Sequence, residues 1–149
     1  MPGKKRKIVP TFEYNVQNMI QPTTTFFAPQ LYIKAGVTDI SFYEKAFNAV
    51  EIRRFINDDG SIHVAELSIN GALFHIHEAS AKKMQLEPQT TNGTTVVIGL
   101  FVDDVDEVMR KAIAAGAIEI SPAQSYDYGY RQGDIKDPFG HLWMIEKKI

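Results

Sequence analysis

The sequence contains no cysteine among its 149 residues. Disulfide bonds and thiolate nucleophiles are therefore excluded, and a reducing cytoplasm is the expected location. The chain also lacks an excess of one charge, because its net charge is −2, so neither nucleic acid nor a membrane surface is predicted as a partner. No apolar run reaches the roughly 20 residues of a membrane-spanning helix. Hydrophobic residues still make up 44% of the chain, which is enough for a globular core.

An internal repeat is the clearest feature of the sequence. "NAVEI" at residues 48–52 returns as "GAIEI" at residues 116–120, an offset of 68 (116 − 48). "GALFHIHE" at residues 71–78 returns as "GHLWMIEK" at residues 140–147, an offset of 69 (140 − 71). No low-complexity composition accounts for these matches. We predict two copies of one unit, residues 29–79 and 95–147, joined by a polar linker at residues 80–94.

The pattern within each copy predicts the order β-α-β-β-β. An apolar strand is followed by a helix with one apolar face and then by three strands. In the second copy, Asp103 or Asp104 can cap the helix and Gly116 can end it in a left-handed turn. Asn48 takes the place of that glycine in the first copy. Asp59-Gly60 and Asn70-Gly71 are hairpin signals between the strands of the first copy.

The first 28 residues match neither copy. We expect them either to be disordered or to form an arm that docks on a partner subunit. The basic run at residues 4–7 lacks interleaved aromatic residues and is interpreted as a solvated tail.

The Asn70-Gly71 turn predicts which residues share a face. In a two-residue hairpin Ile69 faces Ala72, so paired residue numbers sum to 141 (69 + 72). One face then holds Ile69, Leu67, Ala65, Phe74 and Ile76, and should pack under a helix, with His63 and Glu78 at its far end. The other face holds Glu66, His75 and His77, with Glu66 directly opposite His75. Glu66 and His75 are therefore candidates for a catalytic acid–base pair; the alternative is a polar pair that lines a pocket.

The hairpin near the C-terminus contains further candidates. If Asp137-Pro138-Phe139-Gly140 is a four-residue turn, Lys136 faces His141 and Arg131 faces Glu146. Arg131 then either binds an anionic ligand group or forms a salt bridge with Glu146. Ligand-binding candidates are His77, Arg131, Glu146 and three tyrosines, Tyr126, Tyr128 and Tyr130, which either stack on a flat ligand or cover the sheet edge.

The repeated unit and several motifs resemble the vicinal oxygen chelate superfamily, which comprises glyoxalases, bleomycin-resistance proteins and extradiol dioxygenases. The motifs are "FYEKAFNA", "AELSINGALFHIHE", "FVDDVDEVMRKAIAAGA" and "YGYRQGDIKDPFGHLW", and they are most similar to the PhnB-like branch. The resemblance implies an α+β fold in which tandem βαβββ repeats form an eight-stranded, U-shaped mixed sheet around a cavity. Residues 29–149 would form this single domain, and many members are homodimers.

The resemblance also implies where a divalent metal would bind. Enzymes of this family carry one ligand on the first and last strand of each copy. These positions fall at Pro29 or Gln30, at His75, at Val97 and at Met144. Only His75 is a good ligand, and methionine is a poor ligand for hard ions. Since a catalytic zinc needs about three protein ligands, we expect an incomplete site, with a divalent metal ion as the only candidate cofactor.

These observations lead to three functional hypotheses. The first is a cytoplasmic, homodimeric protein that binds a small molecule without the full metal site. The second is a metal-dependent lyase, isomerase or dioxygenase with a rearranged set of ligands. The third is a protein-interaction module that uses residues 1–28 as its partner-binding arm.

Overall fold

The structure, a computed structural model, describes residues 7–9 and 25–149. The strands are β1 (Lys7–Val9), β2 (Gln30–Ile33), β3 (Val50–Ile56), β4 (Ile62–Ile69), β5 (Ala72–Glu78), β6 (Val97–Phe101), β7 (Ile118–Tyr126), β8 (Tyr130–Lys136) and β9 (Leu142–Lys148). The helices are α1 (Phe42–Phe47), α2 (Pro88–Thr91) and α3 (Val105–Ala114), with a 3-10 turn at Ala81–Lys83. The predictions for residues 1–28 concern a segment that lies mostly outside the described residues.

The predicted α+β class with mixed sheets is confirmed, and both copies follow the order β-α-β-β-β. The strands form two hydrogen-bonded sheets, with the orders β1-β3-β4-β5-β2 and β6-β9-β8-β7. In each sheet the first and last strands of a copy are parallel and adjacent. None of the helices described is both long enough and apolar enough to cross a membrane.

The chain divides into two compact units. Unit one comprises the described residues up to residue 38 and residues 49–85, and unit two comprises residues 39–48 and 86–149. Helix α1 is thus grouped with the second sheet, although it lies in the first sequence repeat. The repeats predicted from the sequence therefore follow sequence similarity. The compact units differ from them, because residues 39–48 belong to the first repeat but to unit two.

The register of the hairpin in unit one is confirmed. Asn70 and Gly71 both have positive φ, 49° and 90°, as a two-residue hairpin turn of this kind requires. Ile69 pairs with Ala72, and Glu66 pairs with His75. The apolar face of this sheet is buried, apart from Ala72 beside the turn. Its buried residues are Leu31, Ile33, Ala65, Leu67, Ile69, Phe74 and Ile76.

The helix ends in unit two follow the predicted capping residues. Asp104 caps α3 by accepting a hydrogen bond from the backbone N–H of Glu107 at 3.0 Å. Gly116 follows the helix with φ of 115°, and the N–H of Ala117 returns to the carbonyl of Ala112 at 2.9 Å. Asn48 ends α1 in the left-handed conformation. These caps satisfy backbone groups that a helix end leaves without partners.

The Asp137 carboxylate is the main polar contact in the core of unit two. Its Oδ1 accepts the backbone N–H groups of Phe139 and His141 at 2.9 and 3.0 Å. Its Oδ2 accepts the Tyr43 hydroxyl at 2.7 Å and the Trp143 indole N–H at 3.0 Å. Burial and the adjacent Asp137 carboxylate raise the pKa of Tyr43 well above its usual value, so its hydroxyl stays protonated and can donate. One residue thus joins α1, the β8–β9 turn and β9.

The predicted register of the hairpin that contains this turn is wrong by one residue. Lys136 pairs with Leu142 rather than His141, so the turn spans residues 137–141. Because Asp137 binds the N–H of His141, this residue becomes part of the turn. A shift of one residue exchanges the two faces of a strand relative to its neighbour. Glu146 therefore pairs with Gln132, and Arg131 pairs with Lys147.

We predict that Asp137→Asn lowers the free energy of unfolding by about 2–4 kcal/mol, because an amide NH₂ would meet N–H and O–H donors that now bind a carboxylate. Urea unfolding monitored by Trp143 fluorescence measures this change. Asp127→Asn, an exposed aspartate in another turn of the same unit, is the matched control and should change stability by less than about 0.5 kcal/mol. Equal stability of the two variants would contradict the role assigned to Asp137.

Candidate functional site

The polar face of the sheet in unit one brings together the candidates Glu66, His75 and His77. Side chains alternate along a strand, so this face lies opposite the buried apolar residues. Cross-strand pairing places Glu66 beside His75, as predicted, and Val64 beside His77. The three predicted site residues of this unit therefore share one surface.

Arg53 is a site residue that the sequence analysis missed. It pairs with Glu66 across β3 and β4 and donates two hydrogen bonds to its carboxylate, from Nε at 2.6 Å and from Nη2 at 2.8 Å. The hydrogen bonds to Glu66 raise the pKa of Arg53, although partial burial opposes this. A register shift between Glu51 and Arg53 breaks the alternation of β3, so counting along the strand does not predict its face. The pair holds the Glu66 carboxylate in one orientation.

His75 is held in place by a contact at Nδ1, one of its two ring nitrogens. The side-chain amide of Gln30 lies 3.2 Å from Nδ1, and the amide nitrogen faces the ring. When Nδ1 accepts this hydrogen bond, the neutral ring carries its proton on Nε2. Nε2 lies 3.9 Å from Oε1 of Glu66, which is too long for a hydrogen bond. The predicted acid–base pair therefore shares a face without direct contact.

His77 extends the same surface. Its ring centroid lies 5.9 Å from that of His75 and 5.8 Å from that of Tyr32. Burial lowers the pKa of His77, and the nearby His75 and His63 lower it further, while the Glu66 carboxylate acts in the opposite direction. Nε2 of His77, like Nε2 of His75, is buried and has no hydrogen-bond partner among the residues described. Both nitrogens belong to residues of the same polar face.

His63 lies on the other side of this sheet, as predicted. Its Nδ1 is 2.7 Å from Oε1 of Glu78, and the second oxygen of Glu78 accepts the side-chain amide of Asn57 at 2.9 Å. This closed set of hydrogen bonds accounts for His63 without a ligand.

The tyrosine candidates lie together in unit two. Tyr126 and Tyr128 are stacked with ring centroids 5.0 Å apart, and Tyr130 lies 6.1 Å from Tyr128. The Tyr128 hydroxyl donates to Oε1 of Gln132 at 2.6 Å, and Gln132 pairs with Glu146. Three tyrosine rings therefore adjoin the strand pair that carries Glu146.

Arg131 is separated from this group. In the observed register it lies on the other face of β8, where its guanidinium donates to both oxygens of Asp106 at 2.6 and 2.7 Å. These hydrogen bonds raise the pKa of Arg131 and lower that of Asp106. Of the two alternatives for Arg131, the salt bridge with Glu146 is therefore wrong, and the salt bridge observed joins β8 to α3.

Comparison with known proteins agrees with this architecture. The sequence profile of the glyoxalase/bleomycin resistance protein/dioxygenase superfamily matches residues 38–145. The chain belongs to this superfamily. An uncharacterized protein of Mycobacterium bovis is 34% identical over 125 residues, which are 82% of each chain.

Two solved structures of other proteins have a similar fold. The structure of a gene product from Arabidopsis thaliana has a TM-score of 0.62 at 22% identity, covering 83% of this chain and 99% of that one. The fosfomycin resistance protein FosX of Listeria monocytogenes, in complex with Mn(II) and sulfate, has a TM-score of 0.62 at 20% identity, covering 85% of this chain and 91% of that one. Likeness at this level of identity concerns the fold.

The residues at the metal positions of the superfamily do not fit a divalent ion. Gln30 pairs with His75, and the equivalent pair in unit two is Gly99 with Met144 rather than Val97 with Met144. Glycine offers no side-chain donor, and a thioether is a poor ligand for hard ions. The part of the chain that the structure describes contains no group of three or more His, Cys, Asp or Glu residues arranged to hold a metal.

The lowered pKa of His77 predicts how stability changes with pH. In the unfolded chain the pKa of His77 is about 6.5. Between that value and the lower pKa of the folded state, the unfolded chain therefore binds more protons than the folded protein. The free energy of unfolding should therefore fall as pH decreases through about 6.5 and level off below the folded pKa. His77→Gln should lose this component, so that urea unfolding from pH 8 to 5 shows a shallower slope than in the wild type. Identical slopes would contradict the assignment.

Proposed function

We propose that this superfamily member binds a small organic molecule through a hydroxyl group on the polar face of unit one. The observation that carries the proposal is the pair of buried imidazole nitrogens, Nε2 of His75 and of His77, which have no hydrogen-bond partner among the described residues. Buried polar atoms are nearly always hydrogen-bonded, because leaving one without a partner costs about 1–3 kcal/mol. A ligand would supply the missing partner.

The spacing of His75 and Glu66 supports a hydroxyl group in particular. Nε2 and Oε1 are 3.9 Å apart, so a single oxygen can lie about 2.8 Å from both atoms. That oxygen would accept the imidazole N–H and donate its own proton to the carboxylate. An ether or a carbonyl group would make only the first of these hydrogen bonds. Tyr32, beside His77, offers an aromatic surface for the rest of the molecule.

The hydrogen bonds of Glu66 favour binding over catalysis. Both oxygens of its carboxylate already accept hydrogen bonds from Arg53. A carboxylate whose two oxygens both accept from one guanidinium has fewer free lone pairs with which to take a proton. In this proposal Glu66 and His75 orient the ligand, and a catalytic role for them is the alternative.

The proposal extends to assembly and location. We propose a homodimer of the PhnB-like branch, as the family resemblance of the motifs implies. We propose the cytoplasm as its location, because the sequence lacks cysteine. Light scattering coupled to gel filtration measures the assembly state, and a monomer at micromolar concentration would remove the dimer from the proposal.

We expect phenol and catechol to bind to this face, and their methyl ethers, anisole and veratrole, to bind at least about fivefold more weakly, since a methyl ether cannot donate to Glu66. Spectra that detect imidazole nitrogens, recorded during titration of ¹⁵N-labelled protein, should show shifts at Nε2 of His75 and His77. His75→Gln should weaken catechol binding by a similar factor.

His63→Gln is the matched control for His75→Gln. The two side chains are equally exposed, at 21% each, but lie on opposite faces of the sheet. His63→Gln should leave catechol binding unchanged. Equal binding of catechol and veratrole, or equal effects of the two substitutions, would argue against the proposed site.

A metal-dependent lyase, isomerase or dioxygenase is the competing function, and FosX with Mn(II) shows that the fold accommodates a metal. Metal analysis of protein purified without chelator separates the two functions. We expect less than one equivalent of zinc, nickel, manganese or iron in total, because one histidine alone binds such ions weakly. A stoichiometric ion that disappears in His75→Gln would favour the metal-dependent enzyme.

A further inference from the structure

Unit two contains a largely buried glutamate beside an exposed aromatic ring. Glu146 is only 8% exposed, whereas Phe101, its cross-strand partner on β6, is 62% exposed. Folded proteins ordinarily do the reverse, because burying a charge is costly and burying a ring is favourable. This inversion calls for a partner that compensates the charge and covers the ring.

The Glu146 carboxylate makes no hydrogen bond or ion pair with the side chains that the structure describes. The nearby cations are engaged or turned away: Arg131 binds Asp106 on the other face, and Lys147 donates to the carbonyl of Asp103. Lys148 lies on the same face as Glu146 but is exposed and forms no ion pair with it. A buried carboxylate is usually retained with a cation beside it.

The Glu146 carboxylate packs closely against Gly99. A Cβ atom at Gly99 would lie 3.3 Å from Oε2 of Glu146. The backbone of this residue is not left-handed, so the absence of a side chain is not required by its conformation. The missing side chain at Gly99 therefore makes room for the Glu146 carboxylate itself.

Aromatic rings lie on the same face of the sheet as Glu146. The ring centroids of Phe101 and Tyr130 are 6.5 Å apart, and Tyr128 is 60% exposed. The surroundings are also negative: partial loss of hydration raises the pKa of Tyr128, and Tyr126 and the charges of Asp127, Glu146 and Asp134 raise it further. Rings of this kind attract organic cations.

We propose that unit two has a binding site for an organic cation, whose ammonium or amidinium group pairs with Glu146 and lies against the rings of Phe101 and Tyr130. The site uses none of the residues of the hydroxyl-binding face, so each proposal can fail without the other. The site selects the ligand by its positive charge, and both an ammonium and an amidinium group meet this requirement.

Isothermal titration with benzamidine and with benzamide tests the selection for charge. The two probes have nearly the same shape, but only benzamidine is a cation at pH 7.5. We expect benzamidine to bind about tenfold more tightly, a ratio that corresponds to 1.4 kcal/mol. Benzyltrimethylammonium distinguishes the binding modes: tight binding points to the ring faces, and weak binding points to hydrogen bonding with Glu146. Equal affinities for benzamidine and benzamide would overturn the proposal.

Glu146→Gln should remove the preference for benzamidine while keeping the shape of the side chain. Glu119→Gln is the matched control, because Glu119 is an exposed glutamate in the same unit, and it should leave the affinity unchanged. If Glu146→Gln does not fold, Gly99→Ala supplies the test, since its methyl group would crowd Oε2 and weaken benzamidine severalfold with the carboxylate retained. Unchanged affinity in the folded variant would overturn the site.

Competition with an inorganic cation separates an organic ligand from a simple counterion. We expect 10 mM MgCl₂ to weaken benzamidine binding no more than NaCl of the same ionic strength does, because both salts then act through screening alone. Stronger competition by magnesium, lost in Glu146→Gln, would assign the carboxylate to a metal ion and overturn the proposal.

Discussion

The polar face of unit two depends on how the Asp137 carboxylate holds the turn between β8 and β9. By accepting the N–H groups of Phe139 and His141, it extends the turn to residues 137–141. The length of that turn decides whether Gln132 or Arg131 shares a face with Glu146. The same carboxylate binds Tyr43 and Trp143, so the turn and the aromatic core are stabilised by one group. Register and packing are therefore linked at a single residue.

The two repeats use one backbone plan for two different chemistries. The positions of Gln30 and His75 in unit one correspond to those of Gly99 and Met144 in unit two, because both pairs join the first and last strands of a copy. Likewise His77 corresponds to Glu146 by the offset of 69 (146 − 77). The polar face of one sheet thus carries imidazole nitrogens, and that of the other sheet carries a carboxylate. Turn and core residues maintain the shared fold, while the polar positions are free to differ.

Local rules predicted one hairpin and failed at the other for a physical reason. An Asn-Gly pair adopts a two-residue turn with one register, so the pairing of Glu66 with His75 followed from counting. The Asp-Pro-Phe-Gly segment is compatible with several turn lengths, and side-chain hydrogen bonds from Asp137 select among them. Arg53 escaped prediction because a register shift in β3 interrupts the alternation. The helix caps were predictable because they involve only neighbouring residues.

The sequence by itself determined the repeat, the order of strands and helices, the caps and the face that carries Glu66, His75 and His77, since these depend on short-range periodicity and turn chemistry. Only the tertiary structure decided that Arg53 holds Glu66, that Arg131 binds Asp106, and that α1 packs with Phe139 and Trp143 of unit two. Those contacts join residues 13 (66 − 53) to 96 (139 − 43) positions apart along the chain. Such partners are selected by packing in three dimensions, which no local pattern encodes.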